Sequence, residues 1–492
     1  MIFHQAYQSP LWLEKYLIFS PKVPQLIKQT VNATRTSEIS SGKREQGTGL
    51  PPHPISDRFR RVGRELFWVT TGQAIAILGA LVGVRLLTGL LPPSVYGELA
   101  LGMTLATLVN QIVTGPIGSA AFRFFSPACE ANELGSFLTA LRRLLVKGTG
   151  VVLLLSTSIS LVLLIRGQIE WLWLGVAAFS VALLSLYISA LDAMQNAARQ
   201  RPVVAWHQAL SSWGQYLAAA GLVLWFGASS TVAMLGYLLA TLLVLFSQLL
   251  FFRRTLRATG NILCAEVKSH RRWDTQMFNY AWPFATWGIL TWAQVASDRW
   301  GLQMFGSKQD VGLYAVLFQI GYNPVSMAAG LVVQLVAPIM FQRAGDASSA
   351  ARMEQVYVIN RRLTYGALGL TAVVFLTATV FYDLVFHIFV APEYASVAYL
   401  LPWMTLAGGL FAAGQAAALN LMSSLATKTL LMPKVGTGVL AVFLNLLGAA
   451  LFGIPGVVAA SIIFAAVYLV WVLALARSSV LPYRTSGHGV AT

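Results

Sequence analysis

The chain has 492 residues, of which 57% are hydrophobic and only 11% charged, with 34 Lys and Arg against 18 Asp and Glu. One soluble domain cannot bury so much apolar side chain, whereas about 20 apolar residues span a hydrocarbon core of ~30 Å. The net charge of +16 would suit a nucleic-acid partner, but the cations stand in short segments between apolar runs, where they set topology and meet anionic lipid head groups, so no nucleic acid is expected.

Residues 1–65 read as a cytoplasmic, largely disordered tail, rich in Ser, Thr, Gly and Pro between Thr30 and Ile55 and unable to bury a core. They contain no unbroken apolar stretch followed by a small-residue cleavage site, so the first long span is expected to act as the insertion signal. Six spans follow: Leu66 to Leu91, Tyr96 to Ala121, Gly148 to Ile165, Trp171 to Leu191, Ala209 to Phe226 and Val232 to Phe252. A basic linker, 253–276, carries Arg253, Arg254, Arg257, Lys268, Arg271 and Arg272. Six more spans run Met277 to Leu302, Gly312 to Met340, Leu363 to Val390, Val397 to Leu419, Thr429 to Leu451 and Gly456 to Leu475, before a tail at 477–492. Pro324 should kink the eighth span, because proline removes a backbone donor and clashes with the preceding turn. Cys129 and Cys264 both fall in segments read as inner loops, reduced and unpaired.

Threaded in turn from the cytoplasm, these twelve runs leave 30 of the 34 cations on the inner side; only Arg85, Arg166, Arg299 and Lys308 fall outside. A slip of one helix would invert the bias downstream, so the count and the orientation support each other. The expected fold is an all-α membrane protein of twelve transmembrane helices in two six-helix bundles, 66–252 and 277–476, with both termini cytoplasmic. An even number of spans per half makes the repeats parallel, related by a pseudo-two-fold axis along the membrane normal. A weak echo supports this: Arg85 followed by Gly97-Glu98-Leu99-Ala100, against Arg299 followed by Gly312-Leu313-Tyr314-Ala315.

The stretch from Arg85 through Pro92-Pro93 to Tyr96-Gly97 resembles the end of the first span and the first outer turn in Wzx-type polysaccharide flippases of the MOP (multidrug, oligosaccharidyl-lipid, polysaccharide) exporter superfamily. Tyr280-Ala281-Trp282-Pro283-Phe284, Asp298-Arg299 and Gly312-Leu313-Tyr314-Ala315 are similar to that family's seventh and eighth spans. Looser matches are Pro338, Pro392-Glu393-Tyr394, Asn445 and Gly453-Ile454-Pro455-Gly456. The resemblance covers roughly residues 60 to 476 and implies two MATE-like bundles around a cavity that opens to one face at a time. It also implies the cargo, a sugar chain on an isoprenoid pyrophosphate.

Such cargo needs a wet, cationic passage, since bare polar groups in hydrocarbon cost several kcal/mol each. Arg85 stands near the outer end of span one in an otherwise apolar stretch: it either contacts the pyrophosphate or snorkels to outer head groups. Arg299 holds the matching place in span seven, as a second pyrophosphate contact or as the partner of Asp298 in an ion pair. Asn110, Gln111, Gln294, Gln319, Asn323 and Gln334 lie on spans that line the cavity in the family; their amides suit either sugar hydroxyls or bonds between helices. Trp287 falls mid-span and could stack on a sugar ring. Asp192 reads as a solvated group near a span end, and Asp383 with His387, one turn apart, either relays a proton or does the same.

Catalytic readings fare poorly. No HExxH, GxGxxG or GK[ST] motif is present, so no metal and no cofactor is expected. A flippase of the bacterial cytoplasmic (inner) membrane is therefore the first reading, with the lipid-linked oligosaccharide, membrane lipids and polysaccharide assembly proteins as partners. The alternatives are a MATE-like small-molecule exporter, which should carry acidic cavity groups, and a membrane polysaccharide polymerase or ligase, which should carry a sizeable extramembrane site.

Overall fold

A computed structural model describes residues 55–198, 200–258, 271–344, 349–424 and 427–478. Most of the amino-terminal tail, residues 259–270 of the linker with Cys264, and nearly all of the carboxy-terminal tail lie outside them. So do the side chains of Gln334 and Pro338.

Among the described residues the chain is helical throughout. The helices are α1 (Ile55–Thr88), α2 (Pro93–Glu130), α3 (Leu134–Ile165), α4 (Ile169–Ala197), α5 (Arg201–Phe226), α6 (Ser230–Ala258), α7 (Arg271–Phe305), α8 (Lys308–Ala344), α9 (Ala350–Phe389) and α10 (Leu401–Ser423), which a 3-10 turn, Pro392–Leu400, precedes. The final helical stretch, Leu431–Ser478, folds back at Gly453 into α11 (431–452) and α12 (454–478). Gly453 has φ 63°, a left-handed conformation that favours glycine, and Ile454-Pro455 then starts the last helix.

Among the described residues nine stretches are long and apolar enough to cross a membrane on that basis alone, with α11 and α12 counted as one; α5 and α7 fall short. Both carry polar groups that the bundle, not lipid, receives. In α5, His207 is 3% exposed and contacts the Val203 carbonyl at 2.9 Å and the Ser247 hydroxyl at 3.2 Å. In α7, Asp298 is 4% exposed.

Burial repeats between the halves at the third and fourth helices. The third helix of each, α3 and α9, buries only 11% of its apolar window, while the fourth, α4 and α10, buries 56% and 72%. Each half thus wraps around its fourth helix and turns its third to the periphery, with Leu154, Leu161 and Ile165 of α3 and Val373, Leu376 and Val380 of α9 exposed. Small residues allow this: Gly408 of α10 abuts the Tyr322 backbone, Gly409 meets Thr371 and Gly414 meets the Tyr468 ring.

The helices overshoot the expected spans on the side rich in lysine and arginine, which the charge bias makes the expected inner side. α3 starts at Leu134 and α9 at Ala350, and α6 and α7 take in both ends of the expected linker. An intrahelical hydrogen-bond ladder does not stop where hydrocarbon does. Cys129, expected in a loop, lies inside the last turn of α2.

The proline of α8 is met in a particular way. The turn Phe318–Tyr322 is π-helical, and the N–H of Asn323, just before Pro324, bonds to the Phe318 carbonyl five residues back. α2 does the same: Asn110–Thr114 is π-helical and the Gly115 N–H reaches the Asn110 carbonyl just before Pro116. The wide turn absorbs the bond that proline cannot make.

Candidate functional site

The two halves meet face to face at the outer ends of α2 and α8. A methyl group on Gly97 would overlap the Lys308 carbonyl, and one on Gly312 would overlap the Pro93 carbonyl, so the two backbones touch. The weak sequence echo between the halves thus marks a point on the pseudo-two-fold axis. Beside it the Lys308 ammonium binds the Glu98 carboxylate at 2.5 Å, and the Ser230 hydroxyl donates to the other Glu98 oxygen at 2.8 Å. α8 is set for this contact by a capping box: the Ser307 hydroxyl accepts from Asp310 N–H, and the Asp310 carboxylate accepts from Ser307 N–H at 2.9 Å.

The loop after α9 closes the same layer against the end of α1. The Ala391 N–H donates to the Thr88 hydroxyl at 3.1 Å, the Tyr394 hydroxyl donates to the Leu91 carbonyl at 2.7 Å, and the Tyr96 and Tyr394 rings meet edge to face. Around these bonds lies a core drawn from both halves, including Leu87, Leu99, Val311, Tyr314 and Val397.

Below this layer α2 and α8 part. Beyond its π turn α2 packs on α4, α3 and α7, while α8 packs mainly on α10 and α9 of its own half. The halves therefore touch along α2 and α8 at the Gly97–Gly312 end, while beyond the π turns these two helices pack mainly within their own halves. Helix α7 bridges the halves. Gly288 sits on the Gln111 backbone of α2, Trp292 Nε1 donates to the Thr104 carbonyl at 2.8 Å, and Asp274 pairs with Arg143 of α3 at 2.6 Å. Further out, the Asn445 amide of α11 donates to the Ser297 hydroxyl at 2.9 Å.

The two arginines singled out in the sequence stand at this outer layer with different partners. Arg85 donates through Nη1 to the Val390 carbonyl, across the joint between the halves. Arg299 pairs with Asp298 at 3.4 Å, donates to the Val295 carbonyl at 3.2 Å and lies over the Phe318 ring at 4.8 Å. Asp298 also accepts from the Arg299 N–H at 2.6 Å and the Tyr314 hydroxyl at 2.8 Å. Removing Arg299 alone would strand a buried carboxylate, at about 3–5 kcal/mol. Arg299 thus has a carboxylate partner, whereas Arg85 meets a backbone carbonyl.

Of the amides, Gln319 and Asn323 bond to each other at 2.6 Å, and Gln319 donates to Tyr216 of α5 at 3.2 Å, another bond between halves. Asn110 and Gln111 open the π turn of α2, Asn110 exposed and Gln111 half-buried. Trp287 and Gln294 come together on one face of α7, while Asp383 and His387 are both exposed near the outer end of α9.

Among the described residues, cavities lie below the outer layer. One of about 420 Å³ is lined by Gly115, Ser119, Ser189, Asp192, Asn196 and Tyr280. The Gln248 amide donates to Asp192 at 2.7 Å, so the carboxylate is held in place at the cavity wall. Another, about 110 Å³, lies in the carboxy-terminal half between Trp287, Gln294, Gln415, Lys434, Thr437 and Tyr468. Lys434 was not singled out in the sequence, where it counts among the inner cations near the start of a span. Its ammonium lies 5.4 Å from the centre of the Trp287 ring, at the middle of α7. A contact of that kind offsets about 0.5–2 kcal/mol, against several kcal/mol for taking an ammonium out of water. The cation is thus not balanced by the ring alone.

Among the described residues the chain is a bundle of twelve helices in two halves, with nine stretches long and apolar enough to cross a membrane. The profile of the polysaccharide biosynthesis protein family matches residues 62–344, more than half of the 492, and the chain belongs to that family. No curated protein matches the sequence. Among solved structures, an inward-facing multidrug-resistance MATE transporter of the MOP superfamily is similar at TM-score 0.62 and 13% identity, covering 85% of this chain and 96% of that one. Lipid II flippase MurJ in an inward closed conformation is similar at TM-score 0.61 and 10% identity, covering 85% and 89%. The Vibrio cholerae MATE transporter VcmN in its bent form gives 0.52 at 14%, covering 87% and 98%. At such identities these likenesses establish the fold.

Proposed function

We propose that the protein is a flippase that moves a lipid-linked oligosaccharide, carried on an isoprenoid pyrophosphate, from the inner to the outer leaflet of the bacterial cytoplasmic membrane, with both termini inside. The observation that carries this reading is the outer seal between two equivalent halves, in a chain of the polysaccharide biosynthesis family. MurJ, a lipid II flippase, shares the fold, which supports a lipid-linked cargo. The sugar and pyrophosphate travel between the halves while the lipid tail stays in the bilayer, so no step of bond making is needed.

In this cycle Arg85 serves as a pyrophosphate contact of the outward-open state. Its guanidinium is tied to the Val390 carbonyl while the seal is closed, and opening the joint releases it. Replacing Arg85 by Ala is expected to lower surface polysaccharide about tenfold, the weight of one charge-assisted contact, and Lys to retain part of it. Full export in both variants at normal expression removes Arg85 from the mechanism.

One observation favours a second reading, export of small cations: the Asp192 carboxylate lines the larger cavity. On that reading Asp192→Asn abolishes cationic dye efflux from intact cells. On the flippase reading the same variant leaves polysaccharide at the surface, and wild-type cells show no efflux to lose.

A further inference from the structure

We infer that Lys434 is the anion contact of the carboxy-terminal half, receiving an oxyanion of the cargo in the cavity it shares with Trp287; this rests on the flippase reading. A lysine at membrane depth is retained against its desolvation cost when it faces water or an anion. Among the described residues no carboxylate lines this cavity, and the Lys434 ammonium makes no hydrogen bond and no ion pair. The remaining wall is suited to a polar guest. The Gln294 side chain makes no hydrogen bond among the described residues, Gln415 spends its oxygen on the Tyr468 hydroxyl at 3.3 Å and keeps its amide N–H groups, and Trp287 offers an aromatic face. A cation, free amide donors and a ring in one pocket match a phosphorylated or acidic sugar. Both arginines of the outer layer are engaged in this state, Arg85 with Val390 and Arg299 with Asp298, whereas the Lys434 ammonium is not.

Two parts of the cargo could supply the oxyanion: the pyrophosphate, or a carboxylate on the sugar. Binding to the full-length protein in phosphatidylcholine nanodiscs separates them, with farnesyl pyrophosphate as one probe and an unlipidated glucuronate-containing oligosaccharide as the other. Wild type is expected to bind at least one probe, more weakly as salt rises. Lys434→Met keeps the alkyl stem on Trp287 and removes the charge; it should weaken that binding about tenfold and remove most of its salt dependence. Lys434→Arg should restore both, which shows that charge rather than packing is lost. The probe that responds identifies the oxyanion. Equal, equally salt-sensitive binding by wild type and Lys434→Met overturns the role of Lys434 and leaves the transport reading standing. Failure of wild type to bind either probe overturns both.

Discussion

Valine in place of Gly97 or of Gly312 is expected to abolish polysaccharide export while the protein still inserts at normal levels. Each glycine lies against backbone of the other half, at Lys308 and at Pro93, and backbone cannot turn aside as a side chain can. Overpacking costs about 1–3 kcal/mol even where neighbours can adjust, so the sealed state loses about tenfold or more in population relative to the opened one. A cycle that must return through the sealed state then stalls. A cysteine placed at Thr88, buried in the native seal, reports the cause: a membrane-impermeant maleimide should label it in the Gly97→Val background and spare it otherwise. Gly150→Ala is the control, because a methyl group there meets nothing within 4 Å. Normal export by both valine variants rules the seal out of the cycle.

The importance of these glycines was only half legible in the sequence. Gly97 and Gly312 stand out as an echo between halves, yet nothing near them says that they touch, because their neighbour is backbone on another helix more than 200 residues away. The crossings themselves were legible. Apolar runs and cation placement give twelve helices, even for α5 and α7, which apolarity alone does not qualify. Topology supplies what hydropathy lacks there, since dropping either would invert the charge bias downstream. Helix ends were less legible, because the cue is the edge of the hydrocarbon and the ladder of bonds runs past it.

Partners in the site follow the same division. Asp298 adjoins Arg299 in sequence, so that pair could be proposed from residue types; the Val390 carbonyl that Arg85 finds is a backbone atom 305 positions away, and residue type cannot announce it. Lys434 was hidden differently. Its place near the start of α11 suggests the inner surface, and only the stagger of α11 against α7, with Gly438 beside Gln294 and Asn445 beside Ser297, brings it to the middle of α7. Pro324 signalled a break in α8, but the matching π turn of α2 before Pro116 was missed, because Pro116 falls near the end of the expected span Tyr96 to Ala121, where a proline looks like an ordinary helix end.

Locking the seal should stop the protein as completely as preventing it from closing. Cysteines at Thr88 and Ala391, in a chain with Cys129 and Cys264 replaced by serine, are expected to form a disulfide under copper–phenanthroline and reduce export to background. The Thr88 hydroxyl and the Ala391 nitrogen are 3.1 Å apart, close enough for the two α-carbons to reach the roughly 4.4–6.8 Å that a disulfide spans. The bond joins the end of α1 to the loop after α9, so it ties one half to the other and constrains little within either. Reductant should restore export fully, and each single-cysteine variant should export before and after oxidation, which separates the lock from the cost of losing the Thr88 hydroxyl. The two experiments bear on opposite ends of one equilibrium: Gly97→Val removes the sealed state and the disulfide removes the open one. A transporter that alternates fails both, whereas a chain that conducts through a fixed path, or that joins sugars at an outer site, keeps working when Thr88 and Ala391 are bonded. Export that persists with the disulfide fully formed therefore rejects alternating access for this protein.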